Sequence, residues 1–162
     1  MAAAALTSYT NTAAVRACLG VDDQDCPDAI LIDSNLALEL LVDLDEWLET
    51  HVSIYTAGTA VSPAPTAEEV RLKNLLVLYA QWFCAYELAN RFLTVPQIVG
   101  DGKNQMNRFA RIDLAQAAEL AGSRREKYRA ALDTAVNGAP SATSGIALMQ
   151  VSTPSYDPVT NV

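Results

Sequence analysis

From Val21 to Val70 the chain contains neither lysine nor arginine, and its 162 residues include one histidine and three cysteines. Cys18, Cys26 and Cys84 form no Cys-x-x-Cys and no Cys/His ligand spacing, so neither a zinc site nor a disulfide framework is expected. They read as small apolar residues of a reducing compartment. His51 closes an apolar helix beside Glu49 and Thr50 with no evident acid-base partner, which points to a surface or capping role rather than catalysis. No Glu-x-x-His, His-Glu-x-x-His, Gly-x-Ser-x-Gly, Gly-x-Gly-x-x-Gly or phosphate-loop pattern occurs. The acidic turn at Asp22, Asp23, Asp25 and Asp28 lacks the glycine and the final glutamate of a calcium loop. No cofactor and no metal is expected.

Long apolar runs are also missing. The longest uncharged one, Asn74 to Tyr86, falls short of the roughly 20 residues that span a bilayer, and Met1 to Thr12 has no basic stretch of the kind that opens a signal peptide. Neither membrane insertion nor export by that route is expected.

What is present is a charge split. Met1 to Val70 carries Arg16 against twelve acids, whereas Arg71 to Val162 carries ten bases against seven acids, within a net charge of -8. Seven of the eleven bases, Lys103, Arg108, Arg111, Arg124, Arg125, Lys127 and Arg129, crowd into one segment. A two-sided surface of this kind can bind a copy of itself head to tail. The overall negative charge disfavours tight nonspecific binding of nucleic acid, because phosphate affinity comes largely from counterion release by lysine and arginine.

The fold class is all-α: a small bundle of three long helices plus a short N-terminal helix, with an extended C-terminal tail. Asn11 or Thr12 can cap the short helix, through Val15, Arg16 and Leu19, and Gly20 suits the left-handed turn that ends it. Pro27 opens a second helix to about Val52, with Ile30, Leu36, Leu40, Leu41, Leu44, Trp47 and Leu48 on its apolar face. Glu39, Asp43 and Glu46 make an acidic stripe, which costs a few tenths of a kcal/mol per pair unless bases lie opposite. Thr56 to Pro65 reads as a connector.

Thr66 and Glu69 then form a capping box for a third helix that runs to about Thr94 and stops at Val95-Pro96. Its middle is apolar nearly all round, which predicts that it is surrounded. Tyr79, Trp82, Phe83 and Tyr86 are expected to pack in the core and at interfaces. A turn at Val99 to Gly102 precedes a fourth helix, from about Asn104 to Val136, with a bend expected at Gly122-Ser123. The organisation expected is a flexible N-terminus at 1–9, a helical domain at 10–137 and a tail at 138–162. Within the tail, Ile146, Ala147, Leu148, Met149, Gln150 and Val151 could add a strand to a partner.

The stretch from Thr10 to Leu41 resembles the N-terminal signature of head-tail connector (adaptor, or head-completion) proteins of tailed bacteriophages. It has a short Val-Arg-x-x-Leu-Gly helix, an acidic turn, a Pro-Asp helix start and a long amphipathic helix, carried here by Val15, Arg16, Leu19, Gly20, Pro27 and Asp28. The aromatic third helix and basic fourth helix extend the likeness over about residues 10 to 137. The resemblance implies a structural, non-enzymatic subunit of the virion neck, assembled in the host cytoplasm as a ring, typically of twelve copies, beneath the portal protein. Such a ring extends the DNA channel without sequence-specific binding and docks the tail or stopper protein. It also implies that the tail, through Ile146 to Val151, reaches the portal.

In that setting the expected subunit contact sets Glu39, Asp43 and Glu46 against Arg124, Arg125, Lys127 and Arg129 of the next copy; the competing reading pairs these helices within one subunit. Two other classes stay open. One is a monomeric or dimeric helical regulator binding a host or phage protein; the other is a small helical enzyme, whose best candidates would be Arg108, Arg111 and Glu119.

Overall fold

A computed structural model describes residues 4–94, 98–100, 105–107 and 113–138. The expected tail contact at Ile146 to Val151 lies outside these residues, as do Arg108 and Arg111. The architecture is all-α. The described residues form six helices, α1 (Thr12–Leu19), α2 (Asp28–Asp33), α3 (Leu36–Trp47), α4 (His51–Thr59), α5 (Ala67–Thr94) and α6 (Leu114–Asn137), with a small antiparallel strand pair between α5 and α6. Its strands, β1 (Ile98–Gly100) and β2 (Gln105–Asn107), pair Val99 with Met106.

Helix α5 is the axis of the fold. It packs along α6 on one side and against α4, α1 and α3 on others, so Leu76, Tyr79, Cys84, Leu88 and Ala89 are buried. Its all-round apolar middle is explained by this arrangement. The start is fixed by the expected capping box: Glu69 N–H donates to Thr66 Oγ1 at 3.2 Å and Thr66 N–H donates to the Glu69 carboxylate at 2.6 Å. These hydrogen bonds hold the Glu69 carboxyl below its ordinary range.

Helix α1 ends as its sequence requires. Asn11 Oδ1 accepts from Ala14 N–H at 2.9 Å, and Gly20 takes the left-handed conformation at φ 69°. The described part of the expected flexible terminus at 1–9, from residue 4 on, folds back: Ala5 bridges to Asn11 and the Tyr9 ring is buried against Tyr55 and His51.

The expected second helix, continuous from Pro27 to Val52, is three helices instead. Its first break is at Ser34-Asn35, where Ser34 Oγ donates to the Leu31 carbonyl at 2.7 Å and Asn35 adopts φ 58°. Asparagine tolerates that conformation better than other residues with a side chain. The second break, at Leu48 to Thr50, turns the chain so that His51 enters the core. Both breaks reset the apolar face. Leu36, Leu40, Leu44 and Leu48 point inward, each worth about 1.5–3 kcal/mol of apolar burial, while Ile30 and Leu41 face solvent and Leu31 takes the buried place.

Helix α4 includes Thr56 to Thr59, which the sequence pattern assigned to a connector. Gly58 is buried there because α4 approaches α5 closely: a Cβ at this position would lie 2.7 Å from the Glu69 carbonyl oxygen. The fourth helix starts later than expected, at Leu114 rather than Asn104, because Gln105–Asn107 pairs in the hairpin and Asp113 is the cap, its carboxylate accepting from Gln116 N–H at 3.0 Å. It continues through Gly122-Ser123, where the missing side chain makes room for the Tyr86 ring.

Candidate functional site

Six residues of the N-terminal signature meet in one corner. Val15 and Leu19 are buried, Gly20 reverses the chain, and the Arg16 guanidinium crosses the acidic turn to donate to the Asp28 carboxylate at 2.6 Å and the Cys26 carbonyl at 3.1 Å. Pro27 and Asp28 thereby begin α2 at a fixed angle to α1. The neighbouring Thr12 hydroxyl and the Arg16 guanidinium hold the Asp28 carboxyl below its ordinary range. Arg16 is the one base of the acidic half, and it is spent on this corner.

A second cluster forms where α3 and α6 flank α5. Glu39 accepts from Arg91 of α5, which also donates to the Ser34 carbonyl. Asp43 accepts from the Tyr79 hydroxyl and from Trp47 Nε1, the latter at 2.9 Å. Burial, with the Asp43 carboxylate beside it, pushes the Tyr79 hydroxyl well above its ordinary pKa, so it remains a donor. Arg129 of α6 lies over the Trp47 ring, 4.8 Å from its centroid, and Arg125 lies 4.3 Å over Tyr86 while pairing with Glu126 at 2.7 Å and Glu87 at 3.7 Å. Two clefts, about 360 and 240 Å3, flank Trp47; Glu126, Arg129 and Asp133 line one, and Glu46, Val136 and Asn137 the other.

The seven expected interface residues therefore divide. Glu39, Asp43, Arg125 and Arg129 have partners inside the chain, and for Glu39, Asp43 and Arg125 these include residues of α5, a helix outside the expected pairing. Glu46, Arg124 and Lys127 form no ion pair among the described residues, and all three are exposed; Lys127 lies 5.9 Å from the Tyr128 ring. The sequence signal for this division was weak, since Arg91 and Tyr79 sit far along the chain from the acids they hold.

His51 is neither at the surface nor a cap. It is buried, Tyr9 Oη and Nδ1 are 2.7 Å apart, and Nε2 lies 2.8 Å from the Asp45 carboxylate. This hydroxyl-imidazole-carboxylate chain ties the N-terminal segment to the junction of α3 and α4. Its hydroxyl is phenolic and buried, so it serves as a tie rather than an exposed nucleophile.

A further cleft, about 740 Å3, lies between the end of α1 and the start of α6, with Leu19, Asp113, Gln116, Glu119, Leu120 and Ser123 among its lining. Glu119 is exposed there, and no base lines the cleft among the described residues. No cluster of metal-ligating groups occurs among the described residues, and no described helix is long and apolar enough to cross a membrane. Burial raises the Cys18 and Cys26 thiols to about 11 and Cys84 to about 12, which keeps all three in the unreactive protonated form. Compared with protein-family models, curated proteins and solved structures, the chain matches none.

Proposed function

We propose that the chain is a structural adaptor of a tailed-phage head-to-tail connector, forming a ring beneath the portal, typically of twelve copies. The ring extends the DNA channel and offers its far side to the tail or stopper. The role is positional, with no catalytic step, cofactor or metal. The observation that supports this best is the Arg16 corner. The residues that carry the resemblance, scattered from Val15 to Asp28, converge on one ion-paired junction between α1 and the start of α2. A small, rigid, helical subunit is the kind of part that such a ring repeats.

An acidic surface suits a channel through which DNA slides, because phosphate then finds few cations to hold it. Electron microscopy of the protein mixed with its purified portal tests the reading. Added ring density below the portal is expected; a portal that looks the same with and without the protein sinks it.

A second reading, a helical regulator that acts as a monomer or dimer on another protein, gains support from one observation: four of the seven charged interface candidates already have partners within the chain. Particle mass with and without portal separates the two.

A further inference from the structure

Helix α3 is apolar on both sides. Its inward row, Leu36, Leu40 and Leu44, is buried, while Leu38, Leu41 and Val42 on the opposite face are 62%, 36% and 50% exposed. Asp45 and Glu46 stand one helical turn further along that outer face, and both are exposed. An outer face with three exposed aliphatic side chains in five residues has no partner among the described residues, and single exposed apolar residues are ordinary but contiguous ones mark a contact.

The charge of the surroundings restricts what can cover it. No lysine or arginine lies between Val21 and Val70, so a two-fold contact of α3 with α3 would set Asp45 and Glu46 against their own copies. The outer face of α6 has the complementary pattern. Leu120, 47% exposed, is followed one and two turns later by Arg124 and Lys127, both exposed and without an ion pair among the described residues. This row points away from α5, because Leu114, Ala118, Ala121 and Leu132 occupy the buried side of α6. The spacings agree as well: Val42 and Glu46 are one turn apart on α3, and Leu120 and Arg124 are one turn apart on α6.

We propose that the outward face of α3 (Leu38, Leu41, Val42, Asp45, Glu46) docks on the outward face of α6 (Leu120, Arg124, Lys127) of a second copy of this chain. Aliphatic residues then meet aliphatic ones, and the unpaired acid Glu46 meets the unpaired bases. The contact is heterologous, so each copy keeps one α3 face and one α6 face open and the assembly propagates until it closes. It deepens the connector reading and rests on it for closure into a ring. The partner assigned to the acidic stripe also changes: Glu46 faces the next copy, whereas Glu39 and Asp43 serve their own fold.

Two double variants test this, Leu38→Glu with Val42→Glu on α3 and Leu120→Glu with Lys127→Glu on α6. All four positions are exposed, so helix content and thermal midpoint should match the parent and serve as the folding control. Mass is read by sedimentation up to millimolar concentration and again on purified portal. The parent should associate in at least one setting, and each variant alone should associate at least about tenfold more weakly. Mixed together, the two variants should form a one-to-one dimer that grows no further, because each retains the face that the other lacks.

The proposal is overturned if either variant associates like the parent, or if the parent stays monomeric in both settings. Retention of association by the α6 variant alone would identify an α3-to-α3 contact instead. Failure of the connector reading looks different: association in solution with no density on the portal removes the connector and leaves the contact. Rings formed on the portal by both variants remove the contact and leave the connector.

Discussion

Helices α3 and α5 share one sequence property and differ in what the fold does with it. Both carry apolar side chains on opposite faces, although α3 also carries the acidic stripe of Glu39, Asp43 and Glu46. Helix α5 is enclosed by α1, α3, α4 and α6, whereas among the described residues α3 is covered on its inner face alone. The pattern thus signals two-sided burial in both cases, and only in α5 does the chain itself supply both sides. A second apolar face on a short outer helix is a pointer to something outside the subunit.

The difference can be broken most severely from the inside. Leu44→Ala, at a fully buried position of α3, should cost about 2–5 kcal/mol in urea unfolding. Leu38→Gln, on the other face of the same helix, should change the stability of the isolated chain by no more than about 0.5 kcal/mol. Equal losses at the two positions would mean that both faces of α3 are buried within one chain. Gly58→Val comes next: its side chain would press on the Glu69 carbonyl and on Lys73, forcing α4 away from α5 at a cost of about 1–3 kcal/mol, read as a lower thermal midpoint.

Tyr79→Phe should be milder, about 1–2 kcal/mol, since Asp43 keeps the Trp47 indole as a donor after losing the phenol. A loss as large as that of Leu44→Ala would make this hydrogen bond, rather than the leucine row, the main tie between α3 and α5.

The smallest effect concerns pH. Glu69, through its bonds to Thr66, and Asp28, through Thr12 and Arg16, have carboxyls held below their ordinary values. A depressed pKa stabilises the fold fully above the unfolded value, and that contribution disappears as pH falls through the folded value. Acid titration should therefore lower the midpoint, and Glu69→Gln should flatten the part of the curve due to the cap. An unchanged curve in that variant would remove the cap from the acid response.

Parts of this architecture are legible in the sequence because they depend on neighbouring residues. The Thr66/Glu69 cap, the Gly20 reversal and the end of α5 before Val95-Pro96 follow from local rules, and the structure has all three where expected. The breaks in the second helix were harder, because aliphatic residues continue on both sides of Ser34-Asn35, with Ile32 and Leu36 four residues apart, and so mask a turn that depends on one residue at positive φ. The late start of α6 was hidden in the same way by apolar residues that continue upstream of Asp113. The burial of His51 was not legible at all, since its partners Tyr9 and Asp45 become neighbours only after the chain has turned twice.

The same held for the charge cluster. A stripe of acids is visible in a sequence, but which of them is already satisfied depends on Tyr79 and Arg91, contributed by a helix whose apolar character drew attention away from its polar atoms.

The tie between Asp43 and Tyr79 spans 36 residues, and the tie between Ser34 and Arg91 spans 57. Helices α5 and α6, by contrast, are near neighbours in the chain and share the most extensive packing. Loop-closure entropy grows with the length enclosed, so the α5/α6 pair can assemble before the acidic segment is held against it. On that order of events Tyr79→Phe would speed unfolding while leaving the refolding rate nearly unchanged. The acidic half would then be the first part to detach under stress, carrying away the α3 face while the α6 face stays in place.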